Sequence, residues 1–430
     1  MSSTTNADAA AAITARRRKY FETDPRRFKF HKHLASGGNG DTYVFCELDD
    51  RGVERRKFVA KYSTSGPRSL NQLSNEIRIA QKLYGAMHIA QPIVEDGGMR
   101  TLRRGGGGGG AGTGAASSLP PEDRDVLMTE YLAGLTLQQF IDNARKYDVV
   151  PNRVLWMIFL CLTRMVIAMA YPPNKPYGAA TEDPTVETIP QIRTDTSETG
   201  KGTTSAESLT EQLGALSVKG PKDRTGAPAE NTTKDNTAAA GSSKSDDIPE
   251  TEPTTRPAAE PTDKDYQIFH GDMDNLNNFV FGDYDPDEHW LVPILKAIDF
   301  GLAVDQIGTR LEGRMLPFVS PGTFTQANIY DIGRAIQRVY NHHDSPDPPA
   351  IRFPNLDQDL YQLAARCASR DHTQRPSLAE LVRTVEHNVN TKTGPEHFLG
   401  KPYAWYEETE TLRGYIWDVL LSPAQKGLAP

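Results

Sequence analysis

The segment His270-Gly271-Asp272-Met273-Asp274-Asn275-Leu276-Asn277-Asn278-Phe279-Val280 sets a carboxylate, Asp272, and a carboxamide, Asn277, just before an apolar strand pattern. The next strand pattern ends in Ile298-Asp299-Phe300-Gly301 and adds a second carboxylate. Phosphoryl transfer needs an acceptor for the proton of the attacking hydroxyl, and ligands that fix magnesium against the phosphates. Asp272 suits the first need. Asn277 and Asp299 suit the second, because a hard divalent cation takes oxygen ligands.

Two features nearer the N-terminus extend that chemistry. Leu34-Ala35-Ser36-Gly37-Gly38-Asn39-Gly40-Asp41-Thr42 lies between two strand patterns. A glycine-rich turn there lets backbone N–H groups approach phosphate oxygens with no Cβ in the way; a plain hairpin turn accounts for the same residues. Lys61 ends the strand pattern Val59-Ala60-Lys61, where a lysine is ordinarily a snorkelling surface residue. Glu76 follows on a helix whose apolar positions are Leu73, Ile77, Ala80 and Leu83. If that helix packs on the strand, Lys61 and Glu76 pair and the ammonium is held toward the α- and β-phosphates.

These groups need a scaffold of strands followed by helices. Alternation predicts strands at 28–30, 42–45 and 58–61, with two more near 89–95 and 126–131. Helical spacing appears at 137–146 and 154–170, then at 329–340, 358–367, 378–389 and 408–421, with strands at 279–281 and 294–298 between the two groups. The run 154–171 is the most apolar; Thr163 and Arg164 interrupt it, and it reads as a buried helix rather than a membrane span.

Two stretches cannot bury apolar surface. One holds six consecutive glycines, 105–110, within a flexible hairpin loop. The other runs from about 172 to 264, is rich in Thr, Ala, Pro, Ser, Asp, Glu and Lys, and is expected to be disordered. A net charge of -8 argues against a nucleic-acid partner. Cys46, Cys161 and Cys367 are far apart, without metal-ligand spacing, which fits a reducing compartment, cytoplasmic or nuclear. The first residues carry no apolar stretch resembling a secretory signal. The basic run Arg16-Arg17-Arg18-Lys19 reads as a solvated helix face or as a localisation patch.

Taken in order, the glycine-rich turn, Val59-Ala60-Lys61, Glu76, the loop from His270 to Asn277 and Asp299-Phe300-Gly301 resemble the protein kinase family from about residue 28 to 389. Asn328-Ile329-Tyr330-Asp331-Ile332-Gly333 and Arg370-Asp371-His372-Thr373-Gln374-Arg375-Pro376-Ser377 echo two later signatures of its helical part. The resemblance implies an α+β, two-lobed protein-kinase-like fold, with a small β-rich N-lobe and a larger helical C-lobe. Composition marks a polar tail with a short helix at 1–25 and a flexible loop at 103–122; the resemblance implies an N-lobe at 26–132 around that loop and a C-lobe at 133–171 and 265–390. The insert at 172–264 splits that C-lobe, and an extension with one helix follows at 391–430.

ATP and Mg2+ are the implied cofactors. The implied catalytic residues are Asp272, Lys61 and Glu76, and the implied metal ligands are Asn277 and Asp299. Nucleotide would lie against Leu34, Gly37, Gly40, Thr42, Ala60, Lys61, Thr129, Glu130, Leu132 and Phe279, with Thr129 as gatekeeper in Leu127-Met128-Thr129-Glu130-Tyr131-Leu132. The activity implied first is that of a serine/threonine kinase acting on a protein substrate. The alternatives are a kinase-fold scaffold that binds nucleotide and recruits partners through its insert or C-terminal helix, and a small-molecule kinase. Neither membrane insertion nor nucleic-acid binding is expected.

Several positions depart from the family pattern. Ala35 replaces the first glycine, Gly271 stands where many kinases carry arginine, and Asp274 stands where serine/threonine kinases place a lysine. His-Gly-Asp also resembles aminoglycoside and choline kinases. No Ala-Pro-Glu follows Asp299, so Arg375 lacks its usual glutamate.

Overall fold

In the computed structural model the described residues are 3–22, 28–37, 40–63, 67–95, 98–99, 126–147, 149–173, 185–189, 267–288, 291–305, 310–311, 314–315, 323–341 and 355–421. The chain begins with helix α1 (Ser3–Glu22), followed by strands β1 (Phe28–Gly37), β2 (Gly40–Leu48) and β3 (Glu54–Tyr62). Helix α2 (Pro67–Lys82), a short hairpin of β4 (Val94–Glu95) and β5 (Gly98–Met99), and β6 (Val126–Glu130) complete this part. The main sheet has the order β1-β2-β3-β6 and is antiparallel throughout.

Side-chain alternation gives this sheet two working faces. On one, Tyr43, Phe45, Phe58, Ala60, Tyr62, Val126 and Met128 form an apolar cluster that Phe21 of α1 and Phe28 close over. Phe21 sits 4.3 Å from the Phe45 ring centre and 5.6 Å from that of Phe28. Burying such a side chain contributes about 1.5–3 kcal/mol. On the other face Leu127 packs with Leu73, Ile77 and Ala80 of α2. The polar N-terminal tail expected at 1–25 is therefore corrected: α1 is a 20-residue helix docked on the sheet. Arg17 of the basic run points inward and is 3% exposed, so the run is not a free basic patch.

The helical part begins with α3 (Leu137–Ala144), capped by a reciprocal Thr136–Gln139 capping box. The 19 residues of α4 (Asn152–Ala170) are all buried. This helix has the length and apolarity to cross a membrane, but here it is the core against which the other helices pack. Strands β7 (Phe279–Phe281) and β8 (Leu295–Ala297) pair as a hairpin, and Arg310–Leu311 pairs with Arg314–Met315. Helices α5 (Thr323–Tyr340), α6 (Gln358–Cys367), α7 (Leu378–Thr391) and α8 (Thr409–Val419) follow. The whole is mixed α+β, with a small antiparallel sheet at the N-terminal end and a helical remainder, an arrangement compatible with a kinase-like fold.

Two boundaries differ from those expected. The 172–264 segment was expected to stand apart, yet residues 185–189 pack into the fold. Thr185 donates to the Gly85 carbonyl at 2.9 Å and accepts from Met87 N–H at 3.2 Å. The Glu187 carboxylate accepts from His88 N–H at 2.8 Å and meets His88 Nδ1 at 2.6 Å, with both side chains buried. Arg164 of α4 donates to the Glu187 carbonyl at 2.9 Å and pairs with Glu288 and Glu386 at 2.8 Å each. The rest of that segment, apart from 172–173, and the glycine-rich 103–122 lie outside the described residues. So does the whole of the second compact unit, 191–260.

The extension after 390 is also integral to the fold. Glu407, 2% exposed, accepts from Asn152 N–H at 2.5 Å and Asn152 Nδ2 at 2.9 Å, and its carbonyl takes Arg153 Nη1 at 2.9 Å. Helix α8 buries Leu412, Tyr415, Ile416 and Val419, and Asp418 accepts from Tyr147 Oη at 2.8 Å. Its apolar face is occupied from within, which removes that face from the surfaces expected to recruit partners.

Candidate active site

Lys61 is placed by strand register. It lies opposite Thr42 of β2 and Leu127 of β6, on the sheet face away from α1. Alternation then decides which neighbour shares its side. Ala60, expected to wall the nucleotide, belongs to the buried cluster under α1, and Val59, two residues from Lys61, shares the Lys61 face. The pleat thus puts Val59, not Ala60, on the side of the sheet that Lys61 faces.

The Lys61 ammonium bridges two carboxylates. Nζ lies 2.6 Å from Glu76 Oε2 and 2.7 Å from Asp299 Oδ1. Burial works against the lysine charge, but Glu76 and Asp299 outweigh it and hold the ammonium firmly protonated. At Glu76 burial wins: it pushes the carboxyl up to about 7, against the pull of Lys61 and with Asp299 adding to the rise. At Asp299 burial also works upward, but the Lys61 ammonium outweighs it and holds the carboxyl below its ordinary range. Asp299 has φ 59 and ψ 71, left-handed backbone that aspartate tolerates better than most residues. Its carboxylate also accepts from Gly301 N–H at 3.4 Å.

Helix α2 is fastened to the segment beyond Asp299. Asn75 Nδ2 donates to the Ala303 carbonyl at 2.7 Å, and Arg78 and Lys82 both grip the buried carboxylate of Asp305. These contacts set the helix so that Glu76 faces Lys61. Sequence reasoning missed them; cations at 78 and 82, one helical turn apart, were the readable signal.

The loop at 270–278 holds Asp272 by amides. Asn278 Nδ2 donates to Asp272 Oδ2 at 2.8 Å and to its carbonyl at 3.0 Å, and Asn275 Nδ2 reaches Oδ2 at 3.3 Å. Asn277, the expected metal ligand, instead lies exposed and takes a hydrogen bond from Thr136 Oγ1 at 3.3 Å. The amide beside Asp272 is thus Asn278, one residue later. The same offset affects the strand: Phe279, expected against the nucleotide, is fully buried in the core, and Val280 is the half-buried member of β7.

Gly271 has φ +82, and a Cβ there would fall 2.8 Å from the Leu302 carbonyl oxygen. Neither arginine nor any other L side chain fits that backbone without strain. Behind the loop, Asn328 accepts from His270 N–H at 3.2 Å and donates to the Ile268 carbonyl at 2.8 Å, using both ends of its carboxamide. Arg338 donates to the Asp274 carbonyl. Arg375 donates to the carbonyls of Ser369 at 2.8 Å and Gln326 at 2.9 Å, and its guanidinium lies 4.8 Å from the Tyr330 ring centre.

Of the other expected nucleotide contacts, Thr129 is half-buried and lies opposite Val59, on the Lys61 face. Glu130 donates its N–H to the Gln91 carbonyl at 2.9 Å, and its carboxylate pairs with Lys296 at 2.8 Å. Leu132 is half-buried beside Gly282, Leu34 is exposed, and Thr42 Oγ1 donates to the Ala35 carbonyl at 3.1 Å. Gly37 and Gly40 pair at the end of the β1–β2 hairpin; Gly38 and Asn39 lie outside the described residues.

No family model matches the chain. Over 79 residues it is 30% identical to mitogen-activated protein kinase kinase kinase 7 of Homo sapiens, Mus musculus and Bos taurus. That stretch is 18% of this chain and spans only 13% of the length of those relatives. The likeness is weak and partial, and it reaches as far as a relationship to kinases.

Proposed function

We propose that the chain is an ATP-dependent phosphotransferase of the protein-kinase type that transfers the γ-phosphoryl group to a serine or threonine hydroxyl of a protein. The observation that carries this reading is the Lys61 ammonium held between Glu76, 15 positions further along the chain, and Asp299, 238 positions further along. On this reading residues 26–132 form the N-lobe, and 133–171 with 265–390 form the C-lobe.

The site fits Mg2+ and a nucleotide on its own donor chemistry. Magnesium usually takes one or two protein carboxylates and completes its shell with phosphate oxygens and water. Asp299 offers a carboxylate, and Asn278, whose amide nitrogen is engaged by Asp272, offers its carbonyl oxygen. When bound, Mg-ATP supplies the transferable phosphoryl group and the charge neutralisation that accompanies it. Lys61, fixed by Glu76, holds phosphate oxygens. Asp272, oriented by Asn275 and Asn278, accepts the proton of the incoming hydroxyl. Val59, Val280, Thr129 and Leu132 form the walls for the base.

The offset between Asn277 and Asn278 has a direct test. Asn278→Ala should lower Mg-dependent phosphate transfer by at least about a hundredfold, since it removes a proposed metal ligand and frees Asp272. Asn277→Ala should retain most activity. Steady-state transfer of labelled γ-phosphate, titrated with Mg2+, separates the two; the opposite ranking would return the metal to Asn277. The scaffold reading finds support in Asp274, which places negative charge beside Asp272 where the family carries a lysine. Nucleotide binding without turnover in the unmodified protein would favour it.

A further inference from the structure

We propose that α1 is a brace, acting within the same chain, that sets nucleotide affinity by fixing both the glycine-rich turn and Lys61, with Arg17 as the positioning residue. This inference rests on the phosphotransferase reading for its functional part.

The Arg17 side chain reaches two segments that meet at the cleft. Nη1 donates to the Asp41 carboxylate and to Tyr43 Oη at 3.4 Å, and Nη2 donates to the Ser63 carbonyl at 2.8 Å. The guanidinium also lies 4.8 Å from the Tyr62 ring centre. Asp41 directly follows Gly40, the last glycine of the turn, and Ser63 lies two residues beyond Lys61. Asp41 and Tyr62 are paired across β2 and β3, as are Thr42 and Lys61. Arg17 therefore ties together, from the outer face, the two backbone segments whose opposite face carries Thr42 and Lys61.

The fit around this clamp is tight. A Cβ on Gly40 would fall 2.5 Å from the Tyr62 carbonyl oxygen, so β2 and β3 approach closely where the turn ends. Charge-assisted hydrogen bonds from one rigid guanidinium fork suit this bridging, because a planar donor set fixes the separation of its acceptors. An ammonium offers no such fork. Phe21, one helical turn beyond Arg17, anchors the helix in the aromatic cluster, so the clamp has a fixed support.

Full-length Arg17→Ala, Arg17→Lys and Asp41→Asn proteins test the proposal, with a fluorescent ATP analogue and Mg2+ as probe. Arg17→Ala should weaken binding by about tenfold or more through loss of positioning, with Arg17→Lys and Asp41→Asn between it and the parent. The midpoint of thermal unfolding should change far less than on removal of Phe21. Backbone amide exchange at 40–43 and 61–63 should rise in Arg17→Ala while that of α4 stays constant. Unchanged affinity and unchanged exchange in Arg17→Ala would overturn the brace. A parent protein that binds no nucleotide would count against the phosphotransferase reading, and the amide exchange would still decide whether Arg17 orders the turn.

Discussion

Replacing Glu187 with alanine should destabilise the fold by about 3–5 kcal/mol, the usual cost of breaking a buried ion pair by removing one partner. The change strands the His88 imidazole, which is 0% exposed, and also removes the acceptor of His88 N–H. Burial alone would push His88 toward the neutral form, but Glu187 outweighs it and raises the imidazolium to about 10. Because this folded value lies above the ordinary 6.5, the pair's stabilisation is full below about pH 6.5 and is lost as pH rises toward about 10. The stability gap between parent and Glu187→Ala should therefore narrow across that window. Denaturant unfolding at pH 6 and pH 9.5 measures it, and a double replacement of His88 and Glu187 by leucine should recover much of the loss. Equal stability of parent and Glu187→Ala at pH 6 would show that the buried His88–Glu187 pair contributes nothing to the domain. A deletion inside the insert should accordingly spare 185–189.

Lys61→Met and Asp299→Asn should each lower Mg-dependent phosphate transfer by at least about a hundredfold. The two should differ in character. Lys61→Met removes the cation proposed to hold phosphate and leaves Glu76 and Asp299 facing one another, so Glu76 should protonate and the cleft should loosen. Asp299→Asn keeps the shape but removes the carboxylate proposed to ligate magnesium, so added Mg2+ should restore little. Transfer rates for each variant over a range of Mg2+ concentrations distinguish these outcomes. Parent-like rates in either variant would remove that residue from the proposed site.

The meeting of Lys61, Glu76 and Asp299 was legible because two of them sit near strand ends and the third on the polar side of an amphipathic helix. Lys61 lies one residue before the end of a strand, Glu76 rides the third turn of an amphipathic helix, and Asp299 follows a strand; the structure joins all three within hydrogen-bonding distance. The structure differs from the expectation by one residue at three positions. Ala60 and Phe279, expected against the nucleotide, are buried in the core, and the pleat, with its period of two, leaves Val59 and Val280 half-buried beside them. Asn278 rather than Asn277 bonds Asp272 because the turn before β7 ends in a 3-10 segment at Leu276–Asn278, which a strand pattern does not reveal.

Other features were not legible for a different reason. The docking of α1 depends on one arginine and one phenylalanine in a helix with almost no apolar stripe. Glu187 lies in a stretch whose composition predicts disorder, and one acidic residue among many carries no signal until His88 is found opposite. Long-range pairs of this kind become visible only when the fold brings them together. The strand expected near 89–95 is mostly a set of isolated contacts, such as Ile93 N–H to the Met128 carbonyl at 2.9 Å, because Pro92 interrupts the ladder.

The most direct test of the proposed chemistry is single-turnover phosphate release or transfer from Mg-ATP by the purified protein and by Asp272→Asn. Asp272 is held by Asn275 and Asn278 and makes no contact with Lys61 among the described residues, so its replacement should leave nucleotide affinity intact. The account predicts parent turnover that requires Mg2+, and an Asp272→Asn protein at least about a hundredfold slower with the same nucleotide affinity. Equal turnover in the two proteins, or a parent that binds no nucleotide, would contradict it.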